Sequence, residues 1–300
     1  MRTRFQPDRQ LTTRMVVTML LLGLVYVAFI AVLIALLDSL FAVVVIAAAL
    51  LFAQYFFSDR IALLAMGAQE VSPQEAPRLH AIVDRLCATA DMPKPRVAIA
   101  QSEMPNAFAT GRNQKRAVVC ATTGIMDRLD NAELEGVLAH ELSHIAHRDV
   151  AVMTIASFLG VLAGLITRFA FYSGMFGGRR RQQGDQAALV LALVLLVSAV
   201  VYVISYLLIR ALSRYRELAA DRAGAHLTGR PSALASALSK VTGEISAIPT
   251  RDLRTAQAFN AFFFAPAFGS RPTLATLLST HPSLQQRLEQ LARISAEIGG

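Results

Sequence analysis

The chain of 300 residues has no tryptophan, only two cysteines (Cys87 and Cys120) and no Cys-x-x-Cys pair. That scarcity argues against a disulfide-stapled scaffold, and both cysteines are expected to be reduced, buried small hydrophobes. Charge is scarce too, at 17% of residues, and bases outnumber acids, giving a net charge of +8 and a pI near 10.1. The arginines flank apolar segments and do not interleave with aromatics on one face. Anionic lipid and membrane topology therefore account for them, and nucleic-acid binding is not expected. No internal repeat or low-complexity tract is present. What the chain has in excess is apolar: 54% hydrophobic residues and a mean hydropathy of +0.47, more than one small soluble domain needs for its core.

The apolar residues fall in long runs. Met15 to Leu37 carries no charge, follows a segment holding Arg2, Arg4, Arg9 and Arg14, and lacks a clear small-residue cleavage site. It reads as a membrane helix and not as a signal peptide. Asp38-Ser39 breaks it from a second run, Leu40 to Phe57, and the two are expected to form a transmembrane hairpin with both ends in the cytoplasm. Val150 to Thr167 and Ala187 to Ile209 are each long enough to span again, although Arg179, Arg180 and Arg181 between them oppose the positive-inside tendency. The expected organisation is an N-terminal arm and hairpin over residues 1–57, a first globular part over 58–149, a second hairpin over 150–209 and a second globular part over 210–300.

The intervening segments have globular composition. Ser72-Pro73-Gln74-Glu75 reads as a helix start, continued through His80 to Ala90. Arg96 to Ala100 and Ala117 to Thr122 read as strands. Between them Asn106-Ala107-Phe108-Ala109-Thr110-Gly111 fits either an edge strand beside which an extended peptide can pair or an ordinary hairpin strand. Gly229-Arg230-Pro231 marks a break, Ser283 to Ile298 an amphipathic helix, and Phe259 to Pro266 the most apolar stretch outside the membrane runs, read as core packing ahead of a substrate pocket or a membrane-dipping loop.

One motif carries chemistry. His140-Glu141-Leu142-Ser143-His144 places two imidazoles one helical turn apart on the same face, where both can hold one metal ion with a glutamate beside them. Asp130 and Glu133 form a predicted capping box for this helix, and Leu134, Leu138, Leu142 and Ile145 its apolar stripe. Imidazole suits zinc, and Glu141 can take a proton from a metal-activated water and pass it to a leaving amine. With no glycine or proline from Val137 to Leu159, the helix is expected to continue into the third span, with His144 roughly 9 Å from the apolar boundary.

A catalytic zinc needs a third protein ligand. A metzincin pattern would put a histidine at Val150 and a glycine at His147, so that class is excluded. His147 is read as solvated or interfacial. His80, His226 and His281 remain possible ligands. The better candidate is Glu217, with Asp221 one helical turn beyond it and able to accept a hydrogen bond from a ligating histidine.

The order His140-Glu141-x-x-His144, then Glu217-x-x-x-Asp221, preceded by Asn106-Ala107-Phe108-Ala109 and followed by Thr280-His281-Pro282, with apolar pairs on both sides of the metal helix, resembles the HtpX family of membrane metallopeptidases, relatives of the CAAX prenyl endopeptidases. The resemblance implies one Zn2+ per chain held by His140, His144 and Glu217, with Glu141 as general base and acid and the catalytic face in the cytoplasm. It also implies that Asn106 with Ala107 and Phe108 holds a substrate strand and that His281 stabilises an oxyanion, although His281 before Pro282 equally fits a turn or helix entry. By the same likeness the substrates are unfolded or damaged membrane proteins, the setting is a bacterial inner membrane, and the role is quality control under stress.

The resulting expectation is a mainly α, multi-pass membrane protein with about four transmembrane helices and a zincin-like α+β cytoplasmic catalytic domain. A prenyl-protein endopeptidase is an alternative, disfavoured by the small number of spans. An intramembrane protease is disfavoured because Glu133, Glu135, Arg148 and Asp149 flank the motif. A non-proteolytic scaffold with structural zinc would want four protein ligands, often cysteines, and neither cysteine lies near the motif.

Overall fold

The computed structural model describes residues 9–37, 40–149, 152–153, 185–247 and 282–299. The expectations for Asp38-Ser39, for most of 150–184 including the three arginines, for Phe259 to Pro266 and for His281 lie outside these residues. By its contacts the chain divides into two units, one of residues 1–11, 57–151 and 213–300, the other of residues 12–56 and 152–212.

The second unit holds apolar helical sequence. Helix α1, Arg9–Leu37, and helix α2, Leu40–Ala65, supply its first part. Leu20, Leu24 and Val27 on α1 are all more than 60% exposed, a surface suited to lipid. Helix α6, Asp185–Thr228, supplies another part and buries Val194, Ser198, Val201 and Ser205 on one stripe, where small side chains permit close helix packing. Among the described residues two helical stretches, Arg9–Val32 and Ala192–Thr228, are long and apolar enough to cross a membrane. A third candidate is the pair Ala48–Phe57 and Asp59–Ala65, bent by 63°.

The first unit contains a four-stranded sheet of order β1-β2-β4-β3. Its strands are β1, Ala68–Glu70; β2, Arg96–Ala100; β3, Ala107–Thr110; and β4, Val118–Thr122. Strands β2 and β4 run parallel, whereas β1 and β3 are antiparallel to their neighbours and form the two edges. Strand β1 was not expected: three residues ending in Gln69 and Glu70 show neither apolar alternation nor β-branching.

One face of the sheet meets helices α3, Pro77–Ala90, and α5, Asn131–Ala146, around Val97, Val119, Ala121, Leu134 and Leu138. The other face buries Ala98, Phe108, Val118 and Cys120 with Ala62. Both cysteines are free and buried. Helices α7, Pro231–Ala247, and α8, Leu284–Gly299, pack on each other, and α7 packs on α5. Between β4 and α5 lies the short helix α4, Thr123–Arg128.

Two boundaries differ from expectation. Ser72 and Glu75 close a turn on themselves, the Ser72 N–H and hydroxyl both donating to the Glu75 carboxylate at 2.7 Å. Helix α3 begins only at Pro77, whose missing N–H costs nothing at a first helical position. Helix α5 does not run on past the motif. It carries the expected capping box, with Asp130 accepting from the N–H groups of Ala132 and Glu133 and Glu133 accepting from that of Asp130, and then ends at Ala146. His147 caps it, and Arg148 takes a left-handed φ of 58°. No glycine or proline announces this stop, and just beyond it Asp149 turns back to His144.

Candidate active site

Helix α5 presents His140, Glu141 and His144 to a buried interior, and α6 approaches it closely enough to complete the group. The approach is close at Gly224, where a Cβ would stand 3.0 Å from the His140 nitrogen. A side chain there would push the helices apart, and Glu217 and Asp221, on the same helix, would move with it. The Glu217 carboxylate oxygens lie 3.5 Å from Nε2 of His140 and 3.5 Å from Nε2 of His144. Among the described residues these three are the group of His, Cys, Asp and Glu side chains whose ligand atoms all fall within 4.8 Å of one another, and all three are buried.

Each imidazole is oriented from behind. His140 Nδ1 stands 2.9 Å from Asp221 Oδ1, and His144 Nδ1 stands 2.8 Å from Asp149 Oδ2. A carboxylate can only accept, so each Nδ1 carries a proton and each Nε2 faces inward, where it becomes a metal-binding lone pair once its own proton is given up. The carboxylates are themselves gripped. Arg287 of α8 donates to both oxygens of Asp221, at 2.7 and 2.6 Å, and all of this pair is buried. Arg216 Nε lies 3.1 Å from Asp149 Oδ2.

The electrostatics follow from this packing. Burial disfavours a charge on His140, but Asp221 and Glu217 outweigh it and hold its pKa up to about 9. Burial lowers that of His144. Burial raises that of Glu141 to about 7, against His140 nearby and a hydrogen bond from the Ala109 backbone. Asp221 stays ionised despite burial because Arg287 faces it, and Asp149 because Arg216 does.

The inward edge of the two imidazoles and the Glu217 carboxylate call for a positive charge among them: in the metal-free protein a proton on His140 supplies it, and a metal ion can take its place. Donor atoms of a tetrahedral zinc site stand about 3.3 Å apart for bonds near 2.0 Å, so the donor set and its spacing fit a divalent metal.

The other candidate ligands are placed elsewhere. His80 Nε2 lies 2.9 Å from the Val71 carbonyl, and His226 is exposed on α6. His147 Nδ1 donates to the Ser143 carbonyl at 2.8 Å. Asn106 is buried, its backbone tied to Thr122 by the Thr122 N–H at 2.9 Å and by its own N–H to the Thr122 hydroxyl at 2.9 Å. That pairing sets the ladder: Phe108 and Thr110 turn their backbone groups toward β4, and Ala107 and Ala109 turn theirs to the outer edge, where Ala109 meets Glu141. The Phe108 side chain fills the core on the sheet's other face. Asp149, Arg216 and Arg287 were not foreseen. Asp149 and Arg216 are adjacent to readable signals, five residues after His144 and one before Glu217, but a charged residue in sequence gives no sign of being buried.

Comparison with known proteins now decides the family. The model of "Peptidase family M48" matches residues 73–295. The chain belongs to peptidase family M48. It is 68% identical over its whole length to protease HtpX homolog 1 of Streptomyces coelicolor, covering 97% of that protein. To the protease HtpX homolog of Moorella thermoacetica it is 53% identical, with 99% of each chain covered. The crystal structure of S. mikatae Ste24p shares the fold with a TM-score of 0.51 at 18% identity, over 95% of this chain and 66% of that one. This M48 member is thus a membrane metalloprotease of the HtpX type, as the ordered motifs implied, with a mainly helical fold.

Proposed function

We propose that the protein is a zinc endopeptidase that cleaves unfolded or damaged membrane proteins on the cytoplasmic side of a bacterial inner membrane. The observation that carries the reading is the convergence of His140 Nε2, His144 Nε2 and the Glu217 carboxylate, with both imidazoles locked from behind by aspartates. These three residues would hold one Zn2+ per chain. Zinc, when bound, supplies Lewis-acid activation of water and of the scissile carbonyl.

Glu141 is the general base and acid: its buried carboxylate takes a proton from the attacking water and returns it to the departing amine. A pKa drawn toward neutrality by burial suits a group that must both accept and give back a proton. The Ala109 N–H fixes its orientation. Substrate would lie extended beside β3 at its Ala109 end, where the Ala109 N–H is already held by Glu141 and its carbonyl is the group left to pair, with Asn106 bracing the start of the strand against Thr122. His281 is assigned to the oxyanion, one residue before the buried Pro282 that leads into α8.

The proposed architecture has four spans, with the catalytic domain split between 58–149 and 210–300. Helix α6 supports a site close to the membrane, since one unbroken helix carries the apolar run to Ile209 and Glu217 about 12 Å beyond it.

The test is cleavage of an unfolded, casein-like substrate by detergent-purified protein, wild type beside Glu141→Gln at matched zinc content. Wild type should cleave, and the variant should lose about 10²- to 10⁴-fold in rate while keeping its metal. Equal cleavage by both would remove Glu141 from catalysis.

A further inference from the structure

The established motif accounts for the two histidines, the two glutamates and Asp221. It leaves a second buried carboxylate and its arginine without a task. Asp149 is 1% exposed and Arg216 8% exposed, a placement that a charged pair rarely adopts without a purpose. We propose that Asp149 and Arg216 are positioning residues for the metal site, a second clamp that holds His144 through its Nδ1 as Asp221 and Arg287 hold His140. The proposal rests on the zinc reading above.

Four observations carry it. First, Asp149 Oδ2 is 2.8 Å from His144 Nδ1, so it fixes both the tautomer and the plane of that ring. Second, the chain bends to make the contact: α5 ends at Ala146, and Arg148 adopts a left-handed φ of 58° that a non-glycine residue takes only at some cost. That bend brings the carboxylate back over the ligand five residues before it. Third, Arg216 Nε stands 3.1 Å from the same Oδ2 atom, an ion-pair contact whose charge keeps the buried Asp149 carboxylate ionised and so able to accept from His144 Nδ1. Fourth, Arg216 directly precedes Glu217 on α6. The helix that supplies the third ligand therefore also supplies the cation that holds the second ligand's partner, and docking of α6 on α5 assembles both at once.

The symmetry with the first clamp is chemical and not sequential. His140 is served by an aspartate and an arginine from α6 and α8, remote in sequence; His144 is served by an aspartate from its own end of the chain and an arginine from α6. Each line runs from ligand to carboxylate to guanidinium. Removal of such partners typically lowers metal affinity 10- to 100-fold.

The experiment is a metal-affinity cycle on the detergent-purified full chain, with zinc affinity read by chelator competition and site geometry by the visible spectrum of the cobalt-substituted protein. Asp149→Ala should bind zinc about 10- to 100-fold more weakly and alter the cobalt spectrum. Asp149→Asn, which keeps the acceptor oxygen and nearly the same shape, should fall between it and wild type. Arg216→Gln should weaken binding less than Asp149→Ala. The double variant should bind no more weakly than Asp149→Ala alone, because Arg216 acts through Asp149. Wild-type affinity and spectrum in both Asp149 variants would overturn the clamp, as would simple additivity of the two losses. Should Asp149→Ala fail to fold, Asp149→Asn with Arg216→Gln decides by the same criteria. A wild-type chain that binds neither zinc nor cobalt would sink the zinc reading itself, a result distinct from a bound metal indifferent to Asp149.

Discussion

The two histidines of the site are held by parallel devices of unequal build. Behind His140 stands Asp221, which receives two hydrogen bonds from Arg287, with both members of the ion pair essentially inaccessible to water. Behind His144 stands Asp149, which meets Arg216 through one of its oxygens. The first draws its parts from α5, α6 and α8 and so depends on the tertiary fold; the second closes largely within the turn that ends α5. The difference teaches that one metal site can combine a rigid, remotely assembled anchor with a local one, and that the two should fail differently.

The largest contrast is expected in stability. Asp221→Ala strands a fully buried guanidinium, a loss of about 3–5 kcal/mol, and should lower the unfolding midpoint of the metal-free protein far more than Asp149→Ala, for which about 1–3 kcal/mol is expected. Chemical denaturation of the two variants side by side measures it; equal losses would erase the distinction between the anchors.

Next comes pH. His140 binds a proton more tightly in the folded than in the unfolded chain. Its stabilisation of the metal-free protein is therefore fully present below about 6.5 and lost as pH rises through about 9. The metal displaces that proton, so zinc affinity should climb about tenfold per pH unit below about 9 and level off above it. His144, whose pKa burial lowers, contributes no such slope there. Calorimetric proton counting on zinc addition at pH 8 should find about one proton released from the site; none would show that His140 is already neutral.

The smallest effect is at the helix crossing. Gly224→Ala puts a methyl group 3.0 Å from the His140 backbone and should cost about 1–3 kcal/mol while weakening metal binding on the His140 side first. An unchanged cobalt spectrum in this variant would mean that the crossing has more room than its geometry shows.

Much of this was legible in the chain. The capping box at Asp130 and Glu133, the strands at 96–100 and 118–122, the break at Gly229 and the final helix all follow from local rules that short segments obey. His140, Glu141 and His144 could be placed on one helix because a fixed spacing on a regular element is a spatial statement. The stop after Ala146 was not legible. Just beyond it a charged side chain turns back to a histidine, an interaction whose value exists only where water is absent. Arg216 and Arg287 were hidden for the same reason: in sequence they look like any of the bases of a strongly basic chain. Gly224 was invisible because its meaning lies in the other helix, 84 positions earlier at His140.

Strand β3 ends in a consequence for what the enzyme reads. What the strand offers outward is main-chain atoms, chiefly the Ala109 carbonyl since Ala107 is buried and the Ala109 N–H holds Glu141, and the large side chain Phe108 faces away into the core. On the proposed mode of binding, a receptor of this kind inspects a polypeptide for a spare row of hydrogen bonds and is nearly blind to which residues carry it. A folded protein has that row already satisfied; a chain that has lost its partners does not. Selection by availability and not by spelling would let one short edge serve many damaged proteins.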